Sequence, residues 1–169
     1  MGERGAFAPG ERVELLGGEI IEMSPIGSLH ARCVNLLSEF LNRNFSDNFI
    51  VSTQNPIILD DLSEPQPDIA LLTRRPDFYK DSLPSASDVH LIIEVADSTL
   101  VYDRTRKFPK YAGAGIKEAW LVDLEKERVE VHFQPDDDMF GTVKTYGRGR
   151  SLVSETYPEL TLEIDHLFG

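Results

Sequence analysis

The sequence predicts an α/β fold: a mixed, twisted sheet flanked by helices, with a β-hairpin near the N-terminus. Three observations carry this expectation. The runs Asp68 to Thr73, Val89 to Ala96 and Ala119 to Val122 are short, apolar and rich in β-branched residues, as buried strands are. Leu29, Cys33, Leu36, Leu37, Phe40, Leu41 and Phe45 recur at helical spacing and form one apolar face. Gly17-Gly18 joins two short strand-like runs and supplies the positive φ angles of a two-residue turn.

Taken in order, residues 1–10 contain Gly2, Gly5, Pro9 and Gly10 and read as a loose arm. Residues 11–169 read as one domain. Arg12 to Leu16 and Glu19 to Met23 are the hairpin arms, ended by Pro25 and Gly27. Ser28 is expected to cap a helix running from Leu29 to about Phe45. Phe49 to Ser52 and Pro56 to Leu59 read as strand pieces, and Asp60 to Pro65 as an acidic loop. Pro76 and Pro84 make Arg74 to Asp88 a surface loop with at most a short helix. Val89 to Ala96 is the central strand. A helix follows from about Val101 to Ala114, with a kink expected at Pro109 and an end at Gly113 or Gly115. Arg128 to Phe133 alternates and is expected as an edge strand, followed by a flexible acidic stretch from Gln134 to Gly141. Val143 to Tyr146, Ser151 to Val153 and Thr161 to Ile164 read as terminal strands, and Asp165 to Phe168 as a last turn.

Composition narrows the classes. Hydrophobic residues at 41% and charged residues at 27% suit a soluble globular domain. No apolar run reaches the length of a membrane span, and no signal peptide is visible, so a cytoplasmic location is expected. A lone cysteine, Cys33, excludes an internal disulfide and a multi-cysteine zinc site, and its place on an apolar helix face predicts a packed core thiol. A net charge of −12 opposes a broad DNA-coating surface and tight metal-free DNA binding. It leaves room for a local basic cluster such as Arg104, Arg106, Lys107 and Lys110, or for a homodimer or higher oligomer that concentrates positive charge in a cleft.

Two acids stand in or beside apolar strands. Asp68 follows Pro67, where an aspartate also serves simply to cap turn amides. Glu94 interrupts Leu91-Ile92-Ile93 and Val95-Ala96, where a carboxylate needs a partner or a metal unless the strand is an edge with that face in water. Lys107 reads either as a companion of this pair or as part of a solvated helix face, with Lys110 as its rival. His30 lies near a helix N-terminus, where it would contact phosphate or water or be an ordinary polar residue. Glu19 could add a third carboxylate or face solvent from the hairpin exit.

Pro67-Asp68, Glu94 and Lys107, in this order, resemble the PD-(D/E)XK nuclease superfamily. The surrounding text from Val13 to Asp123 is similar to one branch, the Uma-two family of restriction-endonuclease-like proteins. It includes Leu16-Gly17-Gly18-Glu19-Ile20-Ile21-Glu22, Gln66-Pro67-Asp68-Ile69-Ala70, Glu94-Val95-Ala96-Asp97-Ser98-Thr99, Asp103, and Glu118-Ala119-Trp120-Leu121-Val122-Asp123. The superfamily lysine stands two residues after the acid, where this chain has Ala96; the family pattern draws it from the following helix, at Lys107. The resemblance implies a restriction-endonuclease-like core and metal-dependent hydrolysis of nucleic-acid phosphodiesters, with DNA as the expected substrate. It implies Asp68, Glu94 and Glu19 as metal ligands, with Mg²⁺ expected and Mn²⁺ able to substitute. Asp68, Glu94, Lys107 and His30 form the expected catalytic set. The alternative from another class is a nuclease-fold module that has lost catalysis and acts by binding or oligomerisation.

Overall fold

The computed structural model describes residues 12–169; the arm expected at residues 1–10 lies outside the described residues. Its centre is a six-stranded sheet in the order β3-β4-β5-β6-β7-β8. The strands are β3 (Phe49–Thr53), β4 (Ile69–Thr73), β5 (Val89–Ala96), β6 (Glu118–Asp123), β7 (Arg128–Asp136) and β8 (Met139–Tyr146). Only β5 and β6 run parallel; every other neighbouring pair is antiparallel. The parallel pair needs a crossover, and the helical segment between them supplies it. A separate hairpin, β1 (Val13–Leu16) with β2 (Glu19–Glu22), turns at Gly17 and Gly18, whose φ values of +59° and +83° suit glycine. A smaller pair, β9 (Ser151–Val153) with β10 (Thr161–Glu163), closes the chain with α4 (Ile164–Phe168).

Strand alternation sorts side chains into two cores. Ile69, Leu71, Leu91, Ile93, Val95 and Trp120 face α1 (Ser28–Phe45) and the β9-β10-α4 unit, and Cys33 packs there as expected. Ala70, Leu72, Ile92, Ala96, Ala119 and Leu121 face the other way, against α3 (Phe108–Gly113). Glu94 alternates with Ile93 and Val95, so its side chain belongs to the α3 face.

The crossover helix is interrupted. Leu100–Tyr102 (α2) is helical, Asp103–Lys107 forms one widened π-type turn, and α3 resumes at Phe108. The kink expected at Pro109 takes this form. Proline lacks an N–H and crowds the carbonyl four residues back, and a widened turn relieves both.

Several expectations fail in instructive ways. Ser28 is the first helical residue, and Gly27 holds the cap position without a side-chain cap. Pro56 to Leu59 is not a strand; only an isolated bridge, Ile58 to Ser85, forms there. Arg128 to Phe133 is no edge, because β7 is paired on both sides and continues to Asp136. The alternation that looked half-solvated is Glu130 and His132, which are buried with Arg104 as the ionic partner of Glu130. The stretch expected to be flexible is the hairpin that carries β7 into β8, with Asp137 at φ +59°.

A buried carboxylate pins the C-terminal unit to the sheet. Glu118, fully buried on β6, accepts from Trp120 Nε1 at 2.7 Å, Ser154 Oγ at 2.8 Å, and the backbone N–H groups of Glu155 and Thr156 at 2.8 and 2.9 Å. Glu118→Gln keeps the shape but replaces one acceptor oxygen with a donor that faces donors. We expect it to destabilise the fold by about 2–4 kcal/mol, read as a lowered urea midpoint with an unchanged slope.

Candidate functional site

The site lies at one end of the central strands. The β4–β5 ladder pairs Ile69 with Ile93, so one step further Asp68 stands across from Glu94 on the same face. The Val95 N–H donates to Asp68 Oδ2 at 2.8 Å, fixing this carboxylate to the end of β5. His30 Nε2, from the first turn of α1, lies 3.1 Å from the same oxygen.

Lys107 reaches the site from the widened turn. Its Nζ is 3.0 Å from Glu94 Oε1 and 3.0 Å from Glu14 Oε2, and only 2% of the residue is exposed. The Tyr111 hydroxyl donates to Glu94 Oε1 at 2.7 Å. Glu14 enters from β1, where it interrupts Val13 and Leu15, and the Gln66 N–H donates to its Oε2 at 3.0 Å. Asp103, four residues before Lys107, is also buried and accepts from Thr99 Oγ1 at 2.8 Å. A cavity of about 360 Å³ is lined by Glu14, Asp68, Glu94, Asp103, Lys107 and His30, together with Arg12, Tyr102 and the loop at residues 23–27.

Four acids around one lysine leave excess negative charge. Burial pushes Glu94 well above the usual carboxylate range; Lys107 opposes this, while Asp68, Asp103 and Glu14 add to it. Burial likewise raises Asp103 to about 6. Lys107 behaves oppositely: burial would strip its proton, but Glu94, Glu14 and Asp103 raise it and keep it an ammonium. The two directions agree, because one ammonium sees three acids while Glu94 sees one ammonium and three other carboxylates. Burial would raise Asp68, but the hydrogen bond and charge of His30 and the Val95 N–H hold it below its ordinary value. The hydrogen bond to Asp68 raises His30 against the opposing effect of burial.

The donor set fits a hard divalent cation. Each acid commits one oxygen to close protein donors: Asp68 Oδ2, Glu94 Oε1, Glu14 Oε2 and Asp103 Oδ2. Among the described residues the second oxygen of each accepts no hydrogen bond shorter than the 3.5 Å from Gln54 Nε2 to Asp68 Oδ1. All-oxygen carboxylate ligation is the chemistry of Mg²⁺, Mn²⁺ and Ca²⁺. Among the described residues, however, no three His, Cys, Asp or Glu side chains form a ready-made metal cage.

Asp68, Glu94, Lys107 and His30 thus meet around one cavity. Lys110, the rival lysine, is exposed and has its Nζ close to Gly17 at the hairpin turn. Glu19 does not join the set. It sits at the turn end of the hairpin, largely exposed, and pairs with Arg106 at 3.2 Å. Glu14, two residue pairs further from the turn, takes the position expected of it. Sequence reasoning passed over Glu14 and Asp103 as site residues. Glu14 carried the same signal as Glu94, an acid inside an apolar run, and Asp103 lies one helical turn before Lys107.

Among the described residues, no helix is long and apolar enough to cross a membrane. A comparison with curated proteins gives no match. Among solved structures, the chain is similar to one described as a "putative nuclease belonging to DUF820 from Anabaena variabilis". The TM-score is 0.70 at 17% identity, over 92% of this chain and 89% of that one, which shows a shared fold. A family model named Uma2, described as "Putative restriction endonuclease", matches residues 3–165. That match spans nearly the whole chain, and the chain belongs to the Uma2 family of restriction-endonuclease-like proteins.

Proposed function

We propose that the cleft hydrolyses phosphodiester bonds of nucleic acid, DNA in the first instance, with Mg²⁺ as the ion and Mn²⁺ as a substitute. The observation that carries the reading is the concentration of Glu14, Asp68, Glu94 and Asp103 around Lys107 at one end of the sheet of a nuclease-family fold. A divalent cation held by the free oxygens of Asp68 and Glu94 would supply Lewis acidity to the attacked phosphate. Lys107, held as an ammonium by Glu94, Glu14 and Asp103, sets positive charge beside the phosphate. His30 orients Asp68 through Nε2 and can hold a proton there. Tyr111 holds Glu94 in its rotamer.

Cleavage of plasmid and single-stranded DNA is expected with Mg²⁺ or Mn²⁺ and is lost on chelation. Asp68→Asn and Glu94→Gln should each slow it at least about a hundredfold, the loss expected when a charge needed at the reacting centre is removed. Persisting cleavage in Asp68→Asn would place the activity elsewhere. The rival reading, a nuclease-fold module without catalysis, draws on the lack of a ready-made cage among the described residues. Calorimetry with Mn²⁺ separates the two: binding lost in Glu94→Gln supports the enzyme, and no binding supports the module.

The pH dependence follows from the raised acids. Asp103 holds its proton up to about pH 6 in the fold, whereas the unfolded group loses it near 4. A raised folded pKa stabilises the fold below the unfolded value and loses that contribution as pH climbs through 6. A bound cation displaces these protons. The rise in melting temperature caused by a fixed Mn²⁺ concentration should therefore grow between pH 5 and pH 8, and the growth should shrink in Asp103→Asn. A pH-independent rise would contradict the electrostatic account.

A homodimer is also part of the proposal. The open edges of the sheet are β3 and β8, and β8 exposes Met139 and Val143. Light scattering should give about twice the 19.0 kDa protomer mass; a monomer at micromolar concentration removes the dimer.

A further inference from the structure

Five side-chain atoms among the described residues are buried without a hydrogen-bond partner: Arg12 Nη2, His30 Nδ1, Tyr102 Oη, Asp123 Oδ2 and Arg128 Nε. The last two lie 3.5 Å apart and belong to a loose ion pair. The other three all belong to residues lining the one cavity already described. Buried polar groups are nearly always satisfied, so three orphans around one cavity call for a ligand that satisfies them.

We propose that Arg12 and Tyr102 form a phosphate-binding subsite of this cleft, separate from the carboxylates, that holds a non-bridging oxygen of the nucleic-acid backbone. The inference rests on the nuclease reading for its substrate and on the orphaned donors for its place. Arg12 brings N–H donors from the base of the hairpin, where its carbonyl accepts from the Met23 N–H at 2.8 Å. Tyr102 brings a hydroxyl from α2, one residue before the widened turn. The two therefore line the cavity from different elements. Arg12 also lies near enough to His30 to disfavour protonation of its ring. A guanidinium and a hydroxyl both donate, so their ligand is an acceptor. The same ligand must tolerate Glu14 and Asp103 close by, which a phosphate would do where a divalent cation held by the carboxylates offsets their charge. Most hydrogen bonds from proteins to DNA go to phosphate oxygens, with arginine and tyrosine among the donors. This also bears on the charge problem: in a chain of net charge −12, a few donors inside the cleft grip the backbone without a broad basic surface.

Tyr102→Phe removes a hydroxyl that has no hydrogen-bond partner among the described residues. A structural tyrosine would lose stability on this change; an orphaned one should keep or gain it. The experiment measures two quantities for wild type, Tyr102→Phe and Arg12→Met: the melting temperature without ligand, and calorimetric affinity for thymidine 3′,5′-bisphosphate in Mg²⁺. We expect Tyr102→Phe to melt at or above wild type and to bind about tenfold more weakly, and Arg12→Met to bind about tenfold to a hundredfold more weakly. Unchanged affinity in both variants, or no binding by wild type, overturns the subsite. Inorganic phosphate is the second ligand. Equal affinity for it would overturn recognition of a nucleic-acid backbone in favour of free phosphate. DNA cleavage is scored separately. Variant-sensitive bisphosphate binding without cleavage by wild type keeps the subsite and removes the nuclease reading. Cleavage with variant-insensitive binding keeps the nuclease and removes the subsite.

Discussion

Lys107 is buried and lies 3.0 Å from both Glu14 and Glu94. Those two acids belong to different parts of the molecule, one to a detached hairpin and the other to the central strand. The ammonium therefore docks β1 onto β5 and fixes the crossover helix against both. Removing one member of such a buried set leaves an uncompensated charge and costs about 3–5 kcal/mol. Hydrogen bonds add to this anchor: Gln66 bonds the hairpin through its backbone N–H to Glu14 and through its side chain to the Val13 carbonyl, Gly17 donates to Ser63 Oγ, and the backbone of residues 62–64 pairs with Leu15 and Gly18. The cavity is the space these charges keep open between the hairpin, the loop after it and the widened turn.

The widened turn makes this possible. In a regular helix, shifting to a π-type turn rotates the following residues relative to those before it. Here it lets Asp103 and Lys107 both be buried while Phe108, Tyr111 and Ala112 still pack on the sheet. Such turns cost stability and recur at functional sites. This one lies between the two residues that shape the local charge.

The central architecture could be read from the chain because its signals are local. Apolar β-branched runs gave β4, β5 and β6, helical spacing gave α1, and two glycines gave the hairpin turn. Asp68 and Glu94 stood out because each breaks or borders such a run. Glu14 broke a run equally, but a hairpin strand is expected to have one wet face, and only tertiary docking made that face dry. Lys107 could not be chosen over Lys110 by spacing alone; the family pattern chose it. Glu19 drew attention through its place beside the glycines, yet that place is the turn, the end of the hairpin furthest from the sheet. Glu130 and His132 misled for the opposite reason. Polar residues at alternate positions usually mean water, but here Arg104 satisfies Glu130, and Phe108 and Phe140 pack edge-to-face against His132. None of these long-range partners has a signature in the segment it corrects.

Ala96 bears on how Lys107 reaches the site. It lies two residues after Glu94, so it shares the face that carries Glu94. It is fully buried in the cluster that contains Phe108, the residue directly after Lys107. A lysine stem at 96 would need the volume now filled by this helix, and the helix could not then approach the strand. With alanine there, α3 packs down on β5 and brings the preceding residue, Lys107, to Glu94 on the same face. The small residue and the helix-borne ammonium are two parts of one packing solution. Without a lysine at 96, the chain still sets an ammonium 3.0 Å from Glu94, through Lys107. The same charge reaches the same carboxylate along another path, at the cost of making the site depend on how the crossover helix is packed.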